Sequence, residues 1–326
     1  MSFQFDNLEN VARTMLETLK RKIKVLNERI WENRAPWPAV QTWLGNFSGQ
    51  TTDKGTEQLH ALYLLAQFMY FGARETRALL KAMFRDDYRY PIIESIRRRN
   101  HDTLDEALIE TLFRRELQNT RFMGVGNPSE SGTHLLYYFR QENHLSKELF
   151  INAHEIFAYN PDGSRTVSNP AIDRYVFLDD LCGSGQQVEA RLTDTVKELR
   201  VLKPKAKIVY YVLFATTNAL TTVRGTALFD EVNCVFDLDP SFKCFGADSR
   251  YFSQKHTDID KQKALTLCLH YGSRLCPGSP LGYRDCQLLI GLHHNTPDNT
   301  LPILWFDEPS VAWHAIFKRY PKGVSW

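Results

Sequence analysis

Three sequence patterns are missing from this chain of 326 residues. There is no Gly-Lys dipeptide, which excludes the G-x-x-x-x-G-K-[ST] phosphate loop of nucleotide hydrolases. No run of apolar residues approaches the 18 that a membrane-spanning helix needs. The first residues, Met1 to Gln4, lack the basic and then apolar pattern of a signal peptide. From the second and third absences we expect no segment that spans a membrane, and a cytoplasmic location.

Cysteine and net charge are also informative through what they do not offer. The six cysteines include no C-x-x-C pair, and their spacings relative to the histidines fit no common zinc finger or ribbon. We therefore expect free thiols, as is usual in a reducing cytoplasm. The net charge is only +2, so overall charge does not indicate nucleic-acid binding. The length allows one large or two modest domains with ample core.

The most informative segment is YVFLDDLCGSGQQ, which begins at position 175. Its first four residues form a short apolar run, typical of a central parallel strand. Asp179 and Asp180 follow, and then Gly183 and Gly185, which tolerate positive φ and a close approach of the backbone. A helix after this loop would direct its first free N–H groups towards an anion. The pattern therefore predicts a ligand with a phosphate at one end and vicinal hydroxyls or a metal at the other.

This pattern resembles the phosphoribosyl pyrophosphate (PRPP) signature of type I phosphoribosyltransferases, a strand ending in two acids before a Thr/Ser-Gly loop. The resemblance implies that Asp179 and Asp180 are the catalytic pair facing the ribose hydroxyls. It implies Mg²⁺ as cofactor, bound by these acids and by the ligand or co-substrate PRPP. It also implies a 5′-phosphate cradle, named here the cradle loop, made of Leu181, Cys182, Gly183, Ser184, Gly185, Gln186 and Gln187.

The cradle loop departs from the family pattern at Gln187, where the family usually has Thr. This change weakens the phosphate contact but leaves the backbone donors in place. Two alternatives remain open at this point. The segment is either a relic of the fold without its ligand, or a turn that uses Gly-Ser-Gly for geometry alone.

A second loop follows a predicted strand at residues 121–126 and precedes a predicted helix. In phosphoribosyltransferases an early loop in this place binds pyrophosphate through backbone N–H groups. The alternative is an ordinary surface turn. The candidates that the resemblance implies are Gly126, Asn127, Ser129, Glu130, Ser131 and Gly132.

The N-terminal third of the sequence predicts helices. Apolar residues recur there at steps of three and four, which is typical of helices with a buried face. We expect Pro91 to end one helix and Thr103 to cap the start of another. The helices are expected over residues 6–30, 56–71, 76–90 and 103–118.

Beyond residue 118, short apolar runs alternate with helical segments, the order of a doubly wound parallel sheet. Apolar runs at residues 286–294 and 301–306 predict a pair of strands. We therefore predict an α/β fold in two parts. A helical N-terminal region, residues 1–118, precedes a type I phosphoribosyltransferase-like domain, residues 119–326. Its parallel sheet carries a C-terminal β-rich hood.

Basic residues in the predicted helices suggest a nucleic-acid surface. Several fall at helical spacing and form one face of a helix. Acidic residues interrupt this face, so a solvated helix surface is the alternative. The candidates are Arg77, Lys81, Arg85, Arg97, Arg98 and Arg99.

Over residues 115–310 the sequence is similar to PRTase-CE, a divergent phosphoribosyltransferase-like family of bacterial conflict systems. Members are associated with antiphage operons as effectors or accessory proteins, some beside an ATPase or a reverse transcriptase. The similarity implies binding of PRPP or a related ribose 5-phosphate ligand, and such an operon-encoded protein partner. Three functions stay open: a phosphoribosyltransferase, an inactive nucleotide-binding regulator, and a toxin effector that acts on nucleic acid through the same pocket.

Overall fold

The computed structural model describes residues 10–126, 131–254, 256–308 and 311–319, without the side chains of residues 10–12 and 131–134. The helices are α1 (Asn10–Arg29), α2 (Trp37–Leu44), α3 (Lys54–Leu65), α4 (Ala73–Ala82), α5 (Tyr90–Arg99), α6 (Glu106–Gln118), α7 (Ser131–Glu142), α8 (Gln186–Leu202), α9 (Thr217–Gly225), α10 (Lys261–Leu275) and α11 (Pro302–Trp305). The strands are β1 (Met69–Phe71), β2 (Thr120–Gly124), β3 (Phe157–Tyr159), β4 (Arg165–Val167), β5 (Arg174–Cys182), β6 (Lys207–Thr216), β7 (Glu231–Leu238) and β8 (Ile290–Leu292). A π-helical segment (Met83–Arg89) joins α4 to α5.

The chain forms two compact units. The first contains Met1–Thr76 and Asp239–Trp326, and the second contains Arg77–Leu238. The domain boundary predicted after residue 118 falls inside the second unit. The reason is packing, because the Tyr88 ring contacts both Phe113 of α6 and Phe122 of β2. Helices α5 and α6 therefore belong with the sheet that follows them.

The sheet of the second unit is parallel, with strand order β2-β5-β6-β7. This confirms the predicted α/β class with a parallel sheet. The apolar run of β5 is fully buried between its neighbours, as expected for a strand covered on both faces. Strand β5 is longer than predicted, because Asp179, Leu181 and Cys182 continue its pairing with β6. The acidic pair thus lies within the strand and not beyond its end.

The two faces of this sheet carry different layers. On one face, Phe177 and Tyr210 belong to an apolar cluster that includes side chains of α8 and α9. On the other face, the ring of Phe122 packs against Phe139 of α7 at 5.3 Å and against Tyr88 of the π-helical segment at 5.2 Å. The sheet is therefore sandwiched between two helical layers, as in other doubly wound folds.

Pro91 does not end its helix, contrary to the prediction. Helix α4, the π-helical segment and α5 run on without a break through this residue. Proline has no N–H to donate, but the preceding turns are π-helical, and the Tyr90 N–H bonds there to the Arg85 carbonyl five residues earlier. Wider turns of this kind accommodate a local distortion of the helix. The hydroxyl of Tyr211, from β6, donates to the Asp87 carbonyl at 2.8 Å and ties this segment to the sheet.

The side chain of Asp87 provides a pH-dependence test of this packing. Burial, with the charges of Asp86 and Glu231, raises the pKa of Asp87 to about 6. A folded-state pKa above the unfolded value means that the contribution to stability is complete below about pH 4 and is lost as the pH rises through about 6. We expect Asp87→Asn to raise the free energy of unfolding by about 1 kcal/mol at pH 8, allowing for solvent screening, and to change little at pH 4.

Urea unfolding of the Asp87→Asn protein at both pH values measures this difference. The control is Asp86→Asn, because Asp86 is exposed and its pKa is lowered by the neighbouring Arg85. Removing that charge relieves only one of the contributions that raise the pKa of Asp87 and also breaks the pairing with Arg85, so its gain at pH 8 should be smaller. If Asp87→Asn raised the free energy of unfolding equally at both pH values, ionisation of Asp87 would not be the cause of the gain.

The N-terminal helices follow the predicted periodicity but differ at their ends. The helix predicted over residues 56–71 ends at Leu65, and β1 follows it. The cap of α6 is Asp105, whose Oδ1 accepts from the Leu108 N–H at 3.0 Å. Thr103 is not the cap, since its hydroxyl accepts from the Asp105 N–H. No helix in the described ranges is long and apolar enough to cross a bilayer.

A buried carboxylate organises the core of the first unit. Glu57 is 1% exposed, yet its oxygens accept from the N–H groups of Gly49 at 2.7 Å and Thr51 at 2.6 Å. The hydroxyl of Tyr271 donates to the same carboxylate at 2.7 Å, and its ring packs edge-on against Phe47. These bonds compensate for burial of the charge and fix the loop before α3.

The C-terminal segment differs from the β-rich hood that the sequence predicts. Strand β8 has three residues and pairs in parallel with β1, so it forms no hairpin with the next apolar run. That run contains the short helix α11, with Pro302 in its first turn, where the missing N–H costs nothing. Apolar character alone did not distinguish these buried turns from strands.

Candidate functional site

Strands β2 and β5 are parallel neighbours, and the chain continues to opposite sides of this pair after each of them. After β2 the chain forms α7 and returns along the outer edge of β2, where Phe150 bridges Phe122 in parallel and the Ile151 N–H donates to the Phe122 carbonyl at 3.1 Å. After β5 it forms α8 and continues to β6 on the other side. Open α/β sheets bind ligands in the crevice at such a switch of direction, beyond the carboxyl ends of the strands. The acidic pair of β5 lies at this edge.

Asp179 is held inside the protein by both of its carboxylate oxygens. Oδ2 accepts from the Tyr210 hydroxyl at 2.9 Å, and Oδ1 accepts from the Asp180 N–H at 3.0 Å. Burial raises the pKa of Asp179 well above its usual range, and the charge of Asp180 adds to the effect. Part of the residue reaches solvent, but the carboxyl faces the layer of α8 and α9, where Tyr210 is fully buried.

Asp180 has a different environment. Its carboxyl lies beside that of Asp179, whose pKa its charge helps to raise. Its Oδ1 accepts from the Leu181 N–H at 2.8 Å. The strand pairing of β2 ends where Gly124 lies opposite Leu178, before the acids begin. The two acids, which the resemblance treats as a pair facing one sugar, are therefore not equivalent here.

The cradle loop is shaped by Gly185 and supported by α9. Gly185 has φ +80° and precedes α8, which has no side-chain cap. A Cβ at this position would lie 3.0 Å from Thr222 and 3.2 Å from the Ala219 carbonyl. The Thr216 hydroxyl donates to the Gly183 carbonyl at 2.8 Å and accepts from the Ala219 N–H. The first N–H groups of α8 are thereby positioned as anion donors.

Two further side chains of the cradle loop have defined settings. The Gln187 amide oxygen, in the orientation that satisfies both groups, accepts from the Arg191 guanidinium at 3.0 and 3.2 Å. A cation thus lies one helical turn beyond the position where the family usually has Thr. Burial raises the pKa of the Cys182 thiol to about 12, which disfavours the thiolate form that a nucleophile needs.

Comparison with known proteins assigns the family. The PRTase-CE family model matches residues 40–319. The chain belongs to the PRTase-CE family. Its helical N-terminal region and parallel sheet fit the type I phosphoribosyltransferase-like α/β fold expected of that family. No curated protein gives a significant match.

Solved structures similar to this PRTase-CE chain include two phosphoribosyltransferases. The Helicobacter pylori xanthine-guanine-hypoxanthine phosphoribosyltransferase is 15% identical, with 38% of this chain and 82% of that chain covered and a TM-score of 0.23. The orotate phosphoribosyltransferase from Aeropyrum pernix is 13% identical, with 41% and 73% covered and a TM-score of 0.24. Scores this low do not establish a common fold, so the assignment depends on the family match.

The predicted pyrophosphate loop of this PRTase-CE chain is described only at its two ends. Gly126 follows β2 with φ +107°, a conformation that favours glycine. Ser131 and Gly132 begin α7. The remaining candidates, Asn127, Ser129 and Glu130, lie outside the described residues. The loop thus stays a prediction, located between β2 and α7.

The predicted nucleic-acid face is largely occupied by interactions within the PRTase-CE chain. Arg85 lies in the π-helical segment, so it does not continue the helical stripe of Arg77 and Lys81. Lys81 is exposed. The five arginines each contact an acceptor of the same chain: Glu142 for Arg77, Asp86 for Arg85, the Thr103 carbonyl for Arg97, Glu94 for Arg98 and Glu116 for Arg99. These contacts reduce the positive charge available to phosphates.

The sequence did not reveal the residues that support the site from behind. Tyr210, Thr216 and Thr222 lie in β6 and α9, far along the chain from the acids. The one available signal was polar hydroxyls within an otherwise apolar strand, since a buried hydroxyl needs a partner. No group of three or more metal-binding side chains occurs within the described ranges. A cavity of about 600 Å³ beside Asn46 and Trp313 is lined by first-unit residues only.

Proposed function

We propose that this PRTase-CE protein binds PRPP, or a related ribose 5-phosphate ligand, in the crevice between β2 and β5. The observation that carries the proposal is the uncapped N-terminus of α8, reached through a left-handed Gly185, directly after the acidic pair. This arrangement places anion donors next to a carboxylate at the point where the sheet changes direction. Those are the groups that a sugar phosphate with free hydroxyls requires.

Each part of the ligand has a matching part of the site. The 5′-phosphate accepts from the first N–H groups of α8, with the Gln187–Arg191 pair beside it. Asp180 accepts hydrogen bonds from the ribose hydroxyls. The pyrophosphate lies towards Gly126 and the start of α7, whose N-terminus favours an anion. The ligand would then span the carboxyl ends of two adjacent strands.

The donor set also fits Mg²⁺ in part. Mg²⁺ prefers oxygen ligands and is commonly held by one or two carboxylates together with substrate phosphates. Asp180 is the suitable carboxylate, because both oxygens of Asp179 are engaged by Tyr210 and the Asp180 N–H. The ion would neutralise charge on the pyrophosphate, and the ligand would supply most of its oxygens.

If the protein turns over, the reaction is displacement of pyrophosphate at ribose C1 by an acceptor. The chain's own residues would hold the 5′-phosphate and the ribose hydroxyls, which fixes C1 relative to the acceptor. Developing positive charge on the ribose would be stabilised by the Asp180 carboxylate. In its biological setting, the protein would be an effector or accessory component of an antiphage system, with an operon-encoded ATPase or reverse transcriptase as partner.

Calorimetry tests the binding proposal directly. We expect heat of binding for PRPP or ribose 5-phosphate, tighter with Mg²⁺ for PRPP, and weaker binding for inorganic phosphate or pyrophosphate, which lack the sugar. A ligand at about 100 times its Kd should also stabilise the protein by about 2.7 kcal/mol. No heat and no thermal shift with any of these ligands would contradict the proposal. Release of pyrophosphate in the presence of acceptor candidates then separates an enzyme from a regulator.

A further inference from the structure

We propose that the two adjacent acids have different tasks, and that Tyr210 is the positioning residue that separates them. In this arrangement Asp179 and Tyr210 form a buried brace under the cradle loop, and Asp180 alone contacts the hydroxyls of the ligand. The identity of that ligand depends on the proposed function. The brace itself is a property of the chain without ligand.

The Tyr210 hydroxyl joins two points of β5. It donates to Asp179 Oδ2 at 2.9 Å, and the Cys182 thiol lies beside the same hydroxyl. The Tyr210 ring is fully buried and packs on Phe229 with centroids 5.5 Å apart. Asp179 and Cys182 therefore both face the layer of α8 and α9. Two residues lie between them, so the strand departs from strict alternation at this point.

Asp179 also fixes the peptide that carries Asp180. Its Oδ1 accepts from the Asp180 N–H at 3.0 Å, so one carboxylate links the ring hydroxyl to the next backbone amide. The Asp180 carboxylate in turn accepts from the Leu181 N–H. A direct ribose contact by Asp179 would break both of its bonds and leave the buried Tyr210 hydroxyl without this acceptor. The geometry thus favours one supporting acid and one ligand-binding acid.

This division predicts losses of different size for the same conservative change at the two neighbouring positions. Asparagine at 179 can keep the brace, because its amide oxygen accepts from the Asp180 N–H and its NH₂ donates to a rotated Tyr210 hydroxyl. Asparagine at 180 keeps the shape but loses the negative charge that strengthens hydrogen bonds from the sugar. Equivalent acids would respond alike.

The experiment measures the Kd of PRPP with Mg²⁺ for Asp179→Asn, Asp180→Asn and Tyr210→Phe. We expect a change within about threefold for Asp179→Asn and a loss of about thirtyfold for Asp180→Asn. Tyr210→Phe should lose about tenfold. The matched control is Tyr211→Phe, since Tyr211 is equally buried and donates one bond at 2.8 Å to the Asp87 carbonyl on the opposite face. It should bind as the unchanged protein does.

Equal losses in the two asparagine variants, or equal effects of the two phenylalanine variants, would overturn the proposal. If the unchanged protein does not bind PRPP, the proposed function fails, and the brace is then tested without ligand by amide hydrogen exchange. Tyr210→Phe should accelerate exchange in residues 180–187, and Tyr211→Phe should accelerate it in residues 87–95. Unchanged exchange in residues 180–187 of the Tyr210→Phe protein would contradict the brace.

Discussion

Replacing Gly185 with alanine should weaken binding of PRPP or ribose 5-phosphate by at least about a hundredfold. The left-handed backbone at this position, φ +80°, costs an L-residue about 1–2 kcal/mol. The added Cβ would also press on Thr222 at 3.0 Å and on the Ala219 carbonyl at 3.2 Å. Part of this strain is relieved only if the cradle loop moves away from α9. A shift of a few tenths of an ångström redirects the α8 N–H groups that we propose as phosphate donors. Calorimetric Kd values measure the loss.

Gly163 offers a matched control for the conformational cost of placing alanine in a left-handed backbone. It has the same φ of +80°, and nothing lies within 4 Å of an added Cβ. Gly163→Ala should therefore cost similar conformational energy without changing the Kd. If Gly185→Ala binds as tightly as Gly163→Ala, the cradle loop is not the phosphate site.

Replacing Gly272 with alanine should strongly destabilise the first unit. Gly272 lies in α10, and an added Cβ would approach the Pro280 carbonyl oxygen to 2.1 Å and its carbonyl carbon to 2.9 Å. The obstacle is backbone and not a flexible side chain, so the turn must separate from the helix. Overpacking of this kind costs about 3 kcal/mol. Urea unfolding gives the change in the free energy of unfolding.

Gly225 is the control for the helical backbone. It is the last residue of α9, and an added Cβ meets nothing within 4 Å. Gly225→Ala should be neutral or stabilise by up to about 1 kcal/mol, because alanine is the better helix former. Similar destabilisation by both variants would mean that the approach of Pro280 to α10 does not control the stability of this unit.

The sequence was sufficient to locate the acids, the left-handed glycine and the following helix. These features are local, since an apolar strand, a Gly-Ser-Gly turn and a helix each have their own pattern over a few residues. The parallel order of the later strands was equally accessible, because strand and helix patterns alternate there. The family resemblance then supplied the ligand class, which no periodicity could indicate.

The parts that sequence analysis missed depend on contacts between distant residues. The helical segment that continues through Pro91 is tied to the sheet by the Tyr211 hydroxyl, which belongs to a strand over a hundred residues later. The hydrogen bond to the Asp179 carboxylate likewise comes from Tyr210, in another strand. Strand β8 finds its partner in β1, at the other end of the chain. Local propensity contains no information on such pairings.

The pairing of β1 with β8 has a consequence for the order in which the protein acquires its structure during synthesis. Met69 pairs with Ile290, so the first unit cannot close its strand pair until residue 290 has left the ribosome. The second unit is continuous, Arg77–Leu238, and has its complete sheet available much earlier. Domains generally fold as units while translation proceeds. The nascent chain would therefore carry a folded parallel sheet while the helices before residue 77 still lack their partners from beyond residue 238.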